Sequence, residues 1–542
     1  MSRHTYDVDG ERLWRTLGEL AEIGATPSGG VARVALTDDD HAGRDRFVAW
    51  VLELGCSTHV DQMGNLFARR EGTDPDRLPV VIGSHLDSQP TGGRYDGAYG
   101  VMVGLEILRV LADHDVSTAA PIEVVSWTNE EGARFPPAMI GSGVYAGAFS
   151  LEEGLAAPGV DGTTLGAELA RIGYAGNEPC GQPDGAGRRP IGYYIEPHIE
   201  QGPILEAAGV TLGAVTGVQG IRWYDVTIEG QSAHAGSTPM EHRSDAMVAA
   251  ARLVCEADEI AARRAPEGRA TVGTLTVGTG SRNTVAGSVT LTVDLRHPDA
   301  TELEAMHDEL LALAEGPAFG QQHSAASSDA NQHSAASSDA NQHSAASSDA
   351  NQHSAASSDA NQHSAASSDA NQHSAASSDA NQHSAASSDA NQHSAASSDA
   401  NQHSAASSDA NQHSAASSDA NQHSAASSDA NQHSAASSGV DQPSRSVPRP
   451  QVSPIWYSPP IVFDPTVVEA VRAGAAAAGF EPMDITSGAG HDACYVSQVA
   501  PTGMLFIPCA DGLSHNEAES ILPEHATAGA QATLNAVLAL AG

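Results

Sequence analysis

Five short polar clusters in this 542-residue sequence hold residue types that could do chemistry. In GSHLDS, His85 leaves an apolar run and Asp87 follows two residues on. A period of two puts both on one side of a strand, so the Asp87 carboxylate can accept the second ring N–H of His85 and fix its tautomer. In GGRYDGAYG, Asp96 sits among glycines that let the backbone come close to an ion. TNEEGARF sets Glu130 beside Glu131. Adjacent carboxylates repel unless a cation or a proton lies between them, which suits one ligand and one general base. EPHIEQGP surrounds His198 and GLSHNEAE surrounds His515. Each cluster alone has a plain structural explanation: a DG turn, a solvated EE helix start, a helix cap in HNEAE. Together they offer His, Asp, Glu, His and His, a donor set suited to two borderline cations sharing one carboxylate.

These clusters need elements to position them. ERLWRTLGELAEI (11–23) puts Leu13, Leu17, Leu20 and Ile23 on one helical face, with Gly24 as a stop. Asp38–Asp40 can cap a second helix that buries Phe47, Trp50, Val51 and Leu54 and ends at Gly55. NLFARREG reads as a strand, LPVVIGSH as a short buried strand breaking into a Gly-rich loop, 98–112 as a helix, and PIEVVSWT as another buried strand. Apolar strands alternating with helices indicate a parallel sheet, whose sites lie at the carboxyl ends of strands. The polar clusters stand at such ends.

From about Gly213 the texture changes. RWYDVTIEG, a helix at about 241–264, the strands ATVGTLTVG and SVTLTVDLRH, and a helix at 301–315 alternate in polarity, as a sheet with one solvated face does. QVSPIWYS (451–458) reads as the last strand of this unit. The first texture returns with a helix from Val467 to Ala478, then GAGHDACYV, GMLFIP and an Ala-rich helix from 526. The expected fold class is α/β: a catalytic domain (1–212 and 459–542) with a mixed, largely parallel sheet flanked by helices, and an inserted smaller α+β lid (213–458).

The net charge of −41, from 26 Lys and Arg against 67 Asp and Glu, argues against nucleic acid or an anionic membrane as partner. Five scattered cysteines (56, 180, 255, 494, 509) form no CxxC pair, so a cysteine zinc site is not indicated and a reducing compartment is. No apolar leader or long apolar window is present, and a cytoplasmic location is the expectation.

The segments GSHLDSQPTGGRYDG, WTNEEGARFPPAMIGS, HIEQGPILE, TGVQGIRWYDVTIEGQSAHAGSTPM, TVAGSVTLTVDLRHPD, SGAGHDA and GLSHNEAE, in this order, resemble the N-carbamoyl-L-amino-acid hydrolase group. That group includes β-ureidopropionase and allantoate amidohydrolase, within the dinuclear zinc aminoacylase/carboxypeptidase superfamily. The resemblance implies one cation on His85 and His198, another on Glu131 and His515, and Asp96 bridging them. It implies two divalent ions, zinc foremost, although the ligands also suit manganese, cobalt or nickel. Glu130 takes the place of the general base, and His234 that of the oxyanion donor. Gln201, Asn283 and Arg296 would line the substrate side, with Arg296 as a carboxylate clamp whose planar fork a lysine lacks. A surface ion pair in DLRHPD is the plain alternative for Arg296.

On that resemblance, two cations lower the pKa of a water between them, Glu130 takes its proton, and the oxygen attacks a ureido carbonyl. The products would be an amino acid, ammonia and carbon dioxide. Metals on one domain and His234, Asn283 and Arg296 on the other imply closure over a small ureido substrate. The resemblance adds a homodimer through the lid. Allantoate as substrate, or an aminoacylase or dipeptidase activity, is the alternative. A non-catalytic scaffold with a His-rich arm is a third reading, against which the intact set of clusters argues.

The departure from that group is a tract of QHSAASSDAN units, eleven whole copies from Gln322 to Asn431 and a twelfth ending at Ser438. It carries twelve of the 25 histidines, but no apolar side chain larger than Ala. Such units cannot bury enough surface to offset chain ordering, so a disordered insertion within the lid is expected, not a metal ladder. Its histidines are spaced too far apart to preorganise a pocket.

Overall fold

A computed structural model describes residues 6–181, 187–278, 280–315 and 447–542. The expectation for the decapeptide tract lies outside these residues. Among them, a nine-stranded mixed sheet forms the larger layer. Its centre is the run Ile122–Trp127, Val80–His85, Tyr193–Ile199 and Thr502–Ile507, each parallel to the next. Antiparallel strands extend it at both sides: Leu66–Arg70 and Ser57–Val60 beyond Ile122–Trp127, and Gly213–Val218 beyond Thr502–Ile507. At the sheet's core the strands are buried on both faces and read as unbroken apolar runs, and one further parallel pair, Met483–Ser487 with Gly213–Val218, lies beyond it.

Helices cover this sheet. Gly10–Ala21 buries Leu13, Leu17 and Leu20 as its periodicity predicts. Asp38–Glu53 is capped by the hydroxyl of Thr37, which accepts from the Asp40 backbone N–H; the three aspartates occupy the first turn, where they favour the helix dipole, and do not cap it. Ala98–Asp113 is buried almost all round because it lies between the sheet and two other helices, Gly10–Ala21 and Pro523–Ala541.

A five-stranded antiparallel sheet forms the second unit, with Leu275–Val277, Ser288–His297, Gly220–Glu229 and Pro450–Ser458 in spatial order and Arg269–Thr271 beside Ser288–His297. One face packs the helices Ala246–Ala262 and Ala300–Glu315 around Tyr224, Val226, Ile228, Val289, Leu291 and Leu253. Alternate residues Trp223, Asp225, Thr290 and Asp294 face the other way, in keeping with the period of two.

One expected boundary moves. Gly213–Val218, read from the sequence as the start of the smaller unit, pairs with Thr502–Ile507 and Met483–Ser487 in the larger sheet. Its nearly continuous burial fits a covered sheet better than a solvated one. The chain crosses between sheets at Gln219 and returns at Pro459 and Pro460, after which Ile461–Val462 pairs with Gly213–Val218. No described helix is long and apolar enough to cross a membrane.

Candidate metal centre

The four parallel strands end on the same side and deliver the clusters to one place. His85 closes its strand, and its Nδ1 lies 2.9 Å from the Asp87 carbonyl oxygen. His198, near the end of the neighbouring strand, places Nδ1 2.9 Å from the carbonyl of Ile199. A carbonyl only accepts, so in both rings Nδ1 carries a hydrogen and Nε2 faces inward. The Gly97 backbone N–H points at Nε2 of His198 (3.3 Å), as it would at a lone pair.

Asp96 stands between them. Its Oδ1 lies 3.3 Å from Nε2 of His198 and 3.8 Å from Nε2 of His85, and no hydrogen-bond donor satisfies it although it is buried. Its Oδ2 accepts from Gln201 Nε2 (2.8 Å) and Ser514 Oγ (2.6 Å) and lies 3.6 Å from Nε2 of His515. Glycine is required at position 97: φ is +61°, and a Cβ there would fall 2.3 Å from the His85 ring. Only this opening lets Ala98–Asp113 begin directly behind Asp96.

Glu131 meets His515 at 3.2 Å and is held by Gln89, whose backbone N–H and side-chain amide donate to its two oxygens at 3.1 and 2.7 Å. The His515 side chain is 52% exposed, so this side of the cage opens to solvent. Glu130 is buried, with Oε2 3.6 Å from Nε2 of His85.

Electrostatics show what the cage lacks. Burial, then the charges of Asp492, Glu131, Asp87 and Asp96, pushes Glu130 well above the ordinary carboxylate range. Burial works against a charged His85, yet Asp87, Glu131, Asp96 and Asp492 outweigh it and lift the ring to about 9. Burial would raise Asp96 too, but His198, His85, the Ser514 hydroxyl and His515 hold it below its usual value. Crowded carboxylates that draw protons onto neighbouring groups are a site short of positive charge.

Two donor sets could each hold a cation: His85, Asp96 and His198, and Asp96, Glu131 and His515, with ligand atoms within 4.8 Å of one another. They share Asp96, and the unpartnered Oδ1 together with the two inward Nε2 atoms fits a borderline divalent ion. Two other groupings of the described residues fit less well. Glu196 beside His198 and His491 is already engaged by Ser84 Oγ and the Ala493 N–H, and Glu304, His307 and Asp308 lie on a helix surface.

Asp87 does not act as its spacing predicted. Its carboxylate is 3.9 Å from Nδ1 of His85, and its carbonyl takes the ring hydrogen instead. The strand ends at His85, so the two-residue alternation stops there and the Asp87 side chain turns toward the Glu130 and Glu131 backbone N–H groups, at 3.3 and 3.2 Å. Gln201, expected on the substrate side, bonds to Asp96.

His234 and Asn283 are exposed and lie together on a two-stranded ribbon, in which Ala233–His234 pairs with Thr284–Val285 and the Ala235 N–H donates to the Asn283 carbonyl. His234 Nδ1 accepts the Gly236 and Ser237 N–H groups, both at 3.1 Å, which leaves the hydrogen on Nε2. Arg296 forms a two-pronged pair with Asp294, and its Nη1 donates to the Gly488 carbonyl across the junction of the two units.

Several supporting residues lay outside the sequence reading. Glu519 accepts the backbone N–H groups of Tyr95 and Asp96 at 2.9 and 3.1 Å. It follows His515 in the same motif, which was a usable signal. Arg33 is fully buried and donates to the carbonyls of Leu86 (2.6 Å), Leu20 and Ile23. His491 packs its ring 4.5 Å from that of His198, and Asp492 accepts from Ser142. Nothing local in GGVARVA announces Arg33.

Fold and cage together define a hydrolase built on a histidine–carboxylate cage at the carboxyl ends of a parallel sheet core. The chain belongs to peptidase family M20/M25/M40, whose model matches residues 81–539. It is 35% identical over 531 residues to an N-carbamoyl-L-amino-acid amidohydrolase of Rhizobium meliloti, covering 98% of this chain and 96% of the relative. An allantoate amidohydrolase of Bacillus subtilis (strain 168) is 35% identical over 301 residues, 55% of this chain and 71% of the relative. The crystal structure of an amidase of the hydantoinase/carbamoylase family from Burkholderia multivorans shares 42% identity with a TM-score of 0.71, covering 99% of this chain and 98% of that one.

Proposed function

We propose that this enzyme hydrolyses the linear ureido C–N bond of an N-carbamoyl amino acid with two divalent cations, zinc foremost. The observation that carries the proposal is the shared Asp96, with one unpartnered oxygen between two histidines and the other facing His515. The relative that aligns along almost the full length of both chains bears the matching activity in its name.

In this reading His85 and His198 hold one cation, Glu131 and His515 the other, and Asp96 both. Bound there, the cations would supply Lewis acidity toward the ureido oxygen and acidify water at neutral pH. Glu130 is the general base: its crowded, buried position raises its proton affinity, so it can take a proton from water and return it to the departing amine. Asp87 sets its direction by fixing the backbone on which both glutamates stand. His234, with its hydrogen on Nε2, can donate to the oxygen that gains charge as the carbonyl is attacked. Arg296 meets the carboxylate and Asn283 completes the substrate side, while Gln201, through its amide on Asp96, orients the shared carboxylate.

His234 and Arg296 belong to the smaller unit and the cage to the larger one. The two units act as a catalytic domain and a lid joined at Gln219 and at Pro459–Pro460, and their closure completes the site and excludes water. A homodimer through the lid belongs to the same proposal. The strand Pro450–Ser458 is a sheet edge with exposed Ile455, Trp456 and Tyr457, an edge that invites pairing with a second copy.

The test is ammonia release from a panel of N-carbamoyl α- and β-amino acids and allantoate, beside free amino-acid release from the matching N-acyl amino acids, with defined divalent ions. Turnover of N-carbamoyl amino acids above the other classes supports the proposal. Turnover of allantoate above all others would assign the second reading, which the B. subtilis relative favours.

A further inference from the structure

Asp294 and Arg296 stand two residues apart on Ser288–His297 and project from the helix-free face of the smaller sheet. Arg296 Nε lies 3.0 Å from Oδ1 and 3.1 Å from Oδ2 of Asp294, and Nη2 lies 2.8 Å from Oδ2. Trp223, directly opposite Asp294 in the ladder, donates its indole N–H to the same Oδ2 at 3.1 Å. The Trp223 ring packs against Trp456, with centroids 4.8 Å apart. The carboxylate is thus fixed from two sides, and it fixes one edge of the guanidinium.

The other edge points out of the sheet. Nη1 donates to the Gly488 carbonyl at 2.9 Å, and Gln219 Nε2 donates to the same oxygen at 2.8 Å. Gly488 opens the short segment that ends in His491 and Asp492, and the His491 ring packs on the ligand His198. The outer edge of Arg296 is therefore held on the segment that carries His491 to His198. After its bonds to Asp294 and Gly488, one N–H remains on each terminal nitrogen. A neutral carbonyl occupies a place that a charged acceptor would fill with a stronger bond.

An unsupported arginine on a sheet face gives up rotamer freedom when it grips a ligand. A partner that pins the side chain beforehand removes much of that cost from the binding step. A lysine in place of Arg296 could not use the device, because it has no second edge to present.

We propose that Asp294 is a specificity-determining positioning residue: it aims the outer edge of Arg296 at a substrate carboxylate, which displaces the Gly488 carbonyl. The inference rests on the reading of Arg296 as carboxylate clamp and of the substrate as an N-carbamoyl amino acid. The consequence is selectivity for a free acid over its amide, set by a residue that touches neither.

The test compares Asp294→Asn with the wild type on an N-carbamoyl amino acid and on the matching carboxamide. Asn keeps the shape and an acceptor for Trp223 but removes the charge. Expected is a rise of about tenfold in KM for the acid, the size of one charged hydrogen bond, with kcat moving far less and the carboxamide KM unmoved. Trp223→Phe, which keeps the ring and loses the donor, should raise the acid KM in the same sense by a smaller factor. An equal change on acid and carboxamide, no change, or a lower KM for the acid overturns the role of Asp294. Arg296→Lys run in parallel separates the two readings. If it raises the acid KM while Asp294→Asn does not, this inference alone fails. If it leaves the acid KM unmoved, the clamp reading fails, and this inference with it. A wild type that turns over neither compound removes the functional reading and the inference together.

Discussion

Oδ1 of Asp96 lies 3.3 Å from Nε2 of His198, is buried, and has no hydrogen-bond donor of its own. A buried carboxylate oxygen without a partner costs free energy that a fold ordinarily avoids. The surroundings make the omission specific. The other oxygen of the same carboxylate is satisfied by Gln201 and Ser514, and the Asp96 backbone is pinned by Glu519. The chain thus holds one bare oxygen between two imidazole nitrogens whose far sides are locked on carbonyls.

Replacing Glu130 by Gln should separate chemistry from metal binding. Glu130 belongs to neither three-residue donor set, so cation content should stay at the wild-type level. Loss of the proton-transfer group should lower kcat about 10²- to 10⁴-fold. Steady-state kinetics beside metal analysis check this, and full activity in Glu130→Gln would assign the base elsewhere.

Arg33 anchors the cage from below. Its guanidinium donates to the Leu86 carbonyl, in the residue between His85 and Asp87, and to two carbonyls at the end of the helix Gly10–Ala21. Burial lowers its pKa only to about 10, with Asp40, Asp87 and Asp39 opposing, so it stays charged near neutrality. Arg33→Met strips those carbonyls of their donor and should cost roughly 2–4 kcal/mol of stability. Because the peptide between two cage residues is released, cation affinity should weaken about 10- to 100-fold. Denaturant melts and cation titrations read the two effects; unchanged affinity would restrict Arg33 to a scaffold role.

Asp61 gives a pH signature away from the cage. It is buried beside Asn65 and Cys180, and burial pushes it up to about 6 despite hydrogen bonds from Asn65 and Met63. A raised carboxylate in the folded state binds its proton more tightly than in the unfolded chain. Its contribution is therefore fully present below about pH 4 and lost as pH rises through about 6, roughly 3 kcal/mol in all. The difference in melting temperature between wild type and Asp61→Asn should slope across this window and level off on either side. A difference independent of pH would show that Asp61 does not titrate there.

How much of this was legible in the sequence varies with the range of the interaction. His85, Asp96, Glu131, His198 and His515 stand at strand ends or in Gly-rich loops, and short motifs carry them; the structure brings all five together. The strands were legible because burial on both faces leaves unbroken apolar runs such as VVIG and GMLFI. The direction of Asp87 was not, since alternation predicts a side only while the strand lasts. Arg33 and Glu519 act on Leu86 and Asp96 from 53 and 423 residues away, a pairing that no local pattern encodes. Gly213–Val218 was assigned to the wrong layer because a six-residue strand does not name its neighbour.

The central claim is that Asp96 joins two cation positions in one cage. Metal analysis of wild type and of Asp96→Asn, each stripped with chelator and reloaded, tests it most directly. Expected are two divalent ions per wild-type chain, a melting temperature that rises on reloading, and in Asp96→Asn a loss of ions from both positions together with turnover. Undiminished cation content in Asp96→Asn, or a wild type that binds none, would contradict it.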